Sequence, residues 1–227
     1  MTVSFVLVEP AVPENIGAAA RAMKTMGFSE LILVNPCHYL DGPARWLAHG
    51  SAEILENAAV FTTLKEAVSG FDFVVGTTAK RRSVKYDYCT ISDLPELLNA
   101  KGDSIERSAL VFGREESGLK NEELKLCDLV TTVPLKTVNP SLNLAQAVML
   151  YAWELSQATV RESKTSQGSN RMSLKVLSGK VRIVLTKSGF DENSLIFSRF
   201  MERVSIMGEN DLQLLHSFCN KFLEKEK

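Results

Sequence analysis

The chain reads as an α/β protein, a mostly parallel, doubly wound sheet with helices on both faces, followed by a small helical domain. Three observations predict this. Strand-like and helix-like segments alternate through the first two thirds of the 227 residues, the order expected of strands joined by helical crossovers. The strand candidates are short continuous apolar runs, such as VSFVLV from Val3 to Val8 and LILV from Leu31 to Val34, which suit strands buried on both faces. Beyond Ser173 apolar residues recur at helical spacing instead.

Taken in order, the first strand runs into the proline-rich loop EPAVPEN. Asn15 is placed to cap a helix from Ile16 to Met26, with Gly27 closing it at the C′ position. The first turns of that helix read GAAARA, so another backbone or a ligand can come close. Arg21 rises from this low surface, either as a solvated residue or as a functional one. After the second strand at Leu31 to Val34, short helices are expected between Gly42 and Asn57, carrying Arg45, Trp46 and His49. Ala59 to Phe61 is a weak third strand, Thr63 caps a short helix to Ser69, and Phe71 to Gly76 is the fourth strand.

TTAKRRSVKYDY follows. Thr77, Thr78 and Ala79 fall at the carboxyl end of a strand, where doubly wound sheets bind ligands. Lys80, Arg81, Arg82 and Lys85 are the densest basic cluster in the chain, with Tyr86 and Tyr88 close behind. Solvated loop charge is one reading; phosphate contact and base stacking on a single-stranded or looped nucleic acid is the other. Ile91 to Asn99 is helical by pattern, and ALVFG (Ala109 to Gly113) is a fifth strand opening into REESGL. Gly113 lets a ligand approach the backbone, and Arg114, Glu115 and Glu116 bring charge to the same edge. Asn121 caps a short helix to Leu126, and Leu129 to Val133 is the sixth strand.

The segment PSLNLAQAVMLYAWEL is the most apolar helix in the chain. Pro140 and Ser141 mark its start, and Leu142 to Leu155 is apolar on nearly every face, which predicts burial inside a core or between two subunits. Asn143 is either a local cap or, with Ser141 and the free N–H groups, part of a polar binding surface. From Ser156 to Ser173 the sequence turns polar, so residues 158–173 form a linker between domains at 1–157 and 174–227. The helical domain has candidates at Leu174 to Ser188, Asn193 to Val204 and Asp211 to Glu226.

Composition excludes several classes. Twenty-six basic residues face 27 acidic ones, so a nucleic-acid partner would be met by a local patch rather than by the whole chain's field. Cys37, Cys89, Cys127 and Cys219 show no CxxC spacing, which fits free thiols in a reducing cytosol and no metal site. No secretory leader and no membrane-length apolar run is visible, and neither GxGxxG nor a Walker A pattern occurs.

Three segments together resemble the SpoU/TrmH branch of the SPOUT RNA methyltransferases: NIGAAARA (Asn15 to Ala22), ALVFGREESGL (Ala109 to Leu119) and PSLNLAQAV (Pro140 to Val148). The start of the chain and its helical extension look most similar to the TrmJ-type tRNA 2′-O-methyltransferases. The resemblance implies a trefoil knot in the C-terminal part of the sheet, S-adenosyl-L-methionine bound in it, and a homodimer whose site is completed across the interface. It implies cofactor contacts at Thr77, Thr78, Ala79, Gly113, Val133, Pro140, Ser141 and Leu142. Arg21 and Asn15 match the family's catalytic positions, and Glu115 or Glu116, Ser141 and Asn143 match its remaining polar ones. The implied reaction is transfer of a methyl group to a ribose 2′-hydroxyl of RNA, with tRNA ahead of rRNA and a non-catalytic RNA-binding protein as the alternative. The region FSRFMERVSIMGENDLQLL departs from the arginine-rich segment of TrmJ-type extensions, since Glu202, Glu209 and Asp211 lie among Arg199 and Arg203.

Overall fold

A computed structural model describes residues 1–79, 88–137, 141–157 and 173–225. Lys80, Arg81, Arg82, Lys85, Pro140 and linker residues 158–172 lie outside the described residues.

The strands are β1 (Thr2–Val8), β2 (Leu31–Val34), β3 (Ala59–Phe61), β4 (Phe73–Thr77), β5 (Tyr88–Thr90), β6 (Arg107–Phe112) and β7 (Leu129–Thr132). They form one sheet of order β3-β2-β1-β6-β4-β7-β5, parallel at every pairing. β1 lies between two neighbours, with Phe5 level with Leu31 on one side and Leu110 on the other. Because side chains alternate across a strand, the sheet feeds two apolar layers. Phe5, Leu7, Leu33, Phe73, Leu110 and Phe112 enter one; Val6, Val8, Val34, Val74, Val111 and Val130 enter the other.

The first layer is covered by α1 (Pro13–Thr25), α2 (Gly42–Leu47), α3 (Ala52–Glu56), α5 (Leu94–Ala100) and α7 (Leu144–Gln157). The second is covered by α4 (Leu64–Val68) and α6 (Asn121–Leu124). The helices α8 (Leu174–Lys187), α9 (Leu195–Ile206) and α10 (Glu209–Lys225) add Leu177, Val181, Phe197, Val204 and Leu212 to the first layer. Gly17 sets the closeness of α1 and α2, since a Cβ there would sit 2.0 Å from the Ala44 carbonyl oxygen.

Three local expectations are corrected, and a fourth loses one of its two alternatives. Asn15 does not cap α1: the helix begins at Pro13, and Asn15 is its third residue, with its side chain directed elsewhere. Proline is well suited to a helix's first position because no partner is lost there. Asn121 likewise lies inside α6, and Glu123 Oε2 returns to accept from the Lys120 N–H at 2.6 Å. The start of α7 is at Leu144, not Ser141. Asn143 Oδ1 accepts from Ala145 N–H at 2.9 Å and Gln146 N–H at 3.4 Å, while Gln146 Oε1 accepts from Asn143 N–H at 3.3 Å. That reciprocal box satisfies the first turn. Finally, α7 is not buried within the chain: Val148, Tyr151, Ala152 and Leu155 face inward, whereas Met149, Leu150 and Trp153 are exposed.

Candidate active site at the carboxyl edge of the sheet

A parallel sheet ends all its strands at one edge, and there the loops after β4, β6 and β7 meet the chain entering α7. They enclose a cavity of about 290 Å³. Thr77, Thr78 and Ala79 line it after β4, Gly113 to Gly118 after β6, Val133 and Leu135 after β7, and Ser141, Leu142, Leu144 and Tyr151 close it. All the cofactor positions expected from the sequence therefore meet here, Pro140 excepted. The loops are held from the strands: Thr77 Oγ1 donates to the Val111 carbonyl at 3.0 Å, and Thr78 N–H donates to the Thr131 carbonyl at 3.0 Å.

The loop after β6 folds back on itself. Arg114 and Gly118 exchange backbone bonds of 3.3 and 2.9 Å. A Cβ on Gly113 would come within 2.2 Å of the Gly118–Leu119 backbone, so only glycine fits.

One hydrogen-bond chain joins the three sequence segments. Asn143 Nδ2 donates to Asn15 Oδ1 at 2.7 Å, and Asn15 Nδ2 donates to Glu115 Oε1 at 3.0 Å. Glu115 also accepts from the Ala11 and Val12 N–H groups, both at 3.2 Å. Partial burial pushes this carboxyl up, but the bonds from Asn15, Ala11 and Val12 outweigh it and hold it below the ordinary carboxylate range. The choice between the two glutamates is thereby made: Glu115 turns inward, while Glu116 is exposed at the cavity rim.

Three further residues were not singled out as site residues from sequence. Arg114, 14% exposed, donates through Nε and Nη2 to both Glu9 oxygens at 2.8 and 2.6 Å. The same guanidinium donates to both Glu123 oxygens at 3.0 and 2.9 Å and to the Gly118 carbonyl at 3.4 Å. These bonds hold Glu9 below the carboxylate range and raise Arg114. Burial pushes Glu123 up, but the Arg114 bonds and the Lys120 N–H pull it down on balance. Glu9 and Arg114 are 105 positions apart, and no local pattern signals the pair.

Arg21 is the sequence candidate that the structure leaves apart. It is exposed on α1 and is not among the residues lining the cavity.

A parallel sheet with its crevice at the carboxyl ends is the class of α/β domain that takes a small organic ligand at the sheet edge. The chain belongs to the SpoU rRNA methylase family, whose sequence pattern matches residues 2–153. It is 41% identical over 216 residues, 95% of each chain, to the uncharacterised tRNA/rRNA methyltransferase LasT of Escherichia coli (strain K12). It is 43% identical over 161 residues to the tRNA (cytidine/uridine/adenosine-2′-O-)-methyltransferase TrmJ of Pseudomonas aeruginosa (strain UCBPP-PA14), covering 69% of this chain and 61% of TrmJ. Among solved structures, a probable methylase family protein from Haemophilus influenzae Rd KW20 superposes with a TM-score of 0.68 at 31% identity, covering 98% of this chain and 96% of that one.

Proposed function

We propose that the protein transfers the methyl group of S-adenosyl-L-methionine to a ribose 2′-hydroxyl of RNA, with tRNA as first acceptor and rRNA as second. The observation that carries this is the chain Asn143–Asn15–Glu115, which ties the three segments shared with the family together beside one cavity. The names of the relatives support the tRNA choice.

The cavity fits the cofactor. Val133, Leu135 and Leu142 offer an apolar wall for an adenine ring, while Thr78, Ser117, Ser141 and Glu116 offer hydroxyls and a carboxylate for ribose and a cationic amino-acid tail. Thr77, Ala79, Gly113 and Pro140 complete the set of contacts. When bound, S-adenosyl-L-methionine supplies an electrophilic methyl group; the protein must orient the hydroxyl and help it lose its proton. Glu115 is a poor acceptor for that proton, because its hydrogen bonds are committed and its carboxyl is held ionised. Its work is to position Asn15. Arg21 offers N–H donors and no acceptor, so its work is to bind an RNA phosphate and stabilise the developing alkoxide. Lys80, Arg81, Arg82 and Lys85 extend the phosphate contacts.

The reading includes a trefoil knot in the C-terminal part of the sheet and division into a methyltransferase domain at 1–157, a linker at 158–173 and a helical domain at 174–227. It also includes a cytoplasmic location and a homodimer built on α7, in which Arg21 serves the partner's cavity. The deciding experiment is methyl transfer from labelled S-adenosyl-L-methionine to separate tRNA and rRNA pools from cells lacking the protein, followed by nucleoside mass spectrometry. A 2′-O-methylated nucleoside in tRNA is expected. The same product in rRNA alone would move the substrate, and failure both to transfer label and to bind the cofactor would end the enzymatic reading.

A further inference from the structure

We propose that Glu9 and Arg114 are positioning residues for methyl transfer: their ion pair clamps the loop between β1 and α1 so that Asn15 meets Asn143 beside the cavity. The inference rests on the proposed reaction but concerns residues to which that reading gives no contact with cofactor or RNA. Arg114 lines the cavity by position, yet a guanidinium has five N–H donors, and all five are used on Glu9, Glu123 and Gly118. It has none left for a ligand.

Its partner is held in an uncommon backbone state. Glu9 has φ +47°, a left-handed conformation that a glutamate adopts only when its surroundings hold it there. Glu9 N–H donates to the Val34 carbonyl at 2.7 Å, and its carboxylate takes the Arg114 fork. The next residue along β6's extension, Glu115, grips the same loop two and three residues further on, at the Ala11 and Val12 N–H groups. Adjacent residues of one loop thus hold the β1–α1 turn at two points, and α1 with Asn15 starts directly after the second. Glu123 anchors the far side of the guanidinium, so the fork cannot swing toward the cavity.

The test separates backbone need from clamp. Glu9→Gly suits φ +47° and so preserves the turn while deleting the carboxylate; Glu9→Gln keeps an acceptor but not the charge. Expected for Glu9→Gly is a kcat lower by about tenfold or more, with calorimetric affinity for S-adenosyl-L-methionine within about twofold of wild type. Exchange of the Ala11 and Val12 amide hydrogens should quicken, and Glu9→Gln should recover part of both effects. Wild-type kcat with unchanged exchange would overturn the clamp. So would a fall in cofactor affinity that accounts for the whole rate loss, because Glu9 would then shape the cavity itself. If Glu9→Gly does not fold, Glu9→Gln decides alone on the same readouts. The exchange measurement needs no turnover. An inactive wild type would therefore count against the reaction, and unaltered exchange in an otherwise active pair of variants against the clamp.

Discussion

Arg21 carries a charge with no place in its own cavity, and that decides what its substitutions should do. On the proposed role, Arg21→Ala removes phosphate binding and charge stabilisation together, so methyl transfer should fall by about 10²-fold or more. Arg21→Lys keeps the charge but not the planar fork, and should retain partial turnover. Cofactor affinity, read by calorimetry, should hold in both, since Arg21 does not line the cavity. Wild-type turnover by Arg21→Ala would remove the residue from the mechanism. The carboxylates behave differently. Glu9, Glu115 and Glu123 are all held below their ordinary value of 4.5. A carboxyl depressed on folding contributes stability that is whole above its unfolded value and lost as pH falls through the folded one. Urea midpoints should therefore be level above about pH 5 and fall below about pH 4.5, less steeply in Glu9→Gln. A Glu9→Gln profile parallel to wild type through that window would mean the ion pair adds nothing to stability.

At the scale of elements, Lys101 follows the end of α5, fully buried, and closes the far end of the fold. Its ammonium donates to the Ser205 carbonyl and, at 2.7 Å, to the Met207 carbonyl, and lies 5.2 Å from the centre of the Phe73 ring. Burial pushes its pKa down to about 8, with Asp128 countering. These bonds satisfy carbonyls at the end of α9 that have no helical partner. Lys101→Met fills the space but strands both oxygens, and should cost roughly 1–3 kcal/mol in urea unfolding, with faster protease cleavage around α9 and α10. Unchanged stability and cleavage would show that the helices are held by apolar contact alone. The elements themselves were legible where burial is two-sided: β1, β2, β4 and β6 stand out by their continuous apolar runs because a parallel sheet buries both faces. β5 escaped because three residues, YCT, at a sheet edge carry no period. Asn15 and Asn121 were misread as caps because asparagine favours that position, while the helices began earlier at Pro13 and at Asn121 itself. The cavity's loops were legible from glycine, threonine and the strand ends. The Arg114 clamp was not, since its partners come together only once β1 and β6 pair.

At the scale of the whole molecule, α1 and α7 pack against each other, and α7 turns apolar residues outward. Trp153 is 51% exposed, beside Met149 and Leu150 on the same helix. Such an apolar patch marks an interaction surface, and on the proposed reading it receives a second copy, bringing one subunit's Arg21 to the other's cavity. Trp153→Lys tests the surface: a charge at an exposed site should change the stability of a single chain by no more than about 0.5 kcal/mol. In a subunit contact an unpaired buried charge is strongly unfavourable, so sedimentation should show monomers and methyl transfer should be lost with them. Subunit mixing then tests the shared site. Arg21→Ala lacks the arginine, and Gly113→Ala lacks a formed cofactor loop, because its Cβ would strike the Gly118–Leu119 backbone. Each alone should be inactive. Mixed and reassembled, a heterodimer holds one cavity with an intact loop from the first chain and an intact Arg21 from the second, so activity should return. If the mixture stays inactive while the heterodimer forms, Arg21 acts within its own chain, and α1 must reach the cavity by a rearrangement of the β1–α1 turn instead.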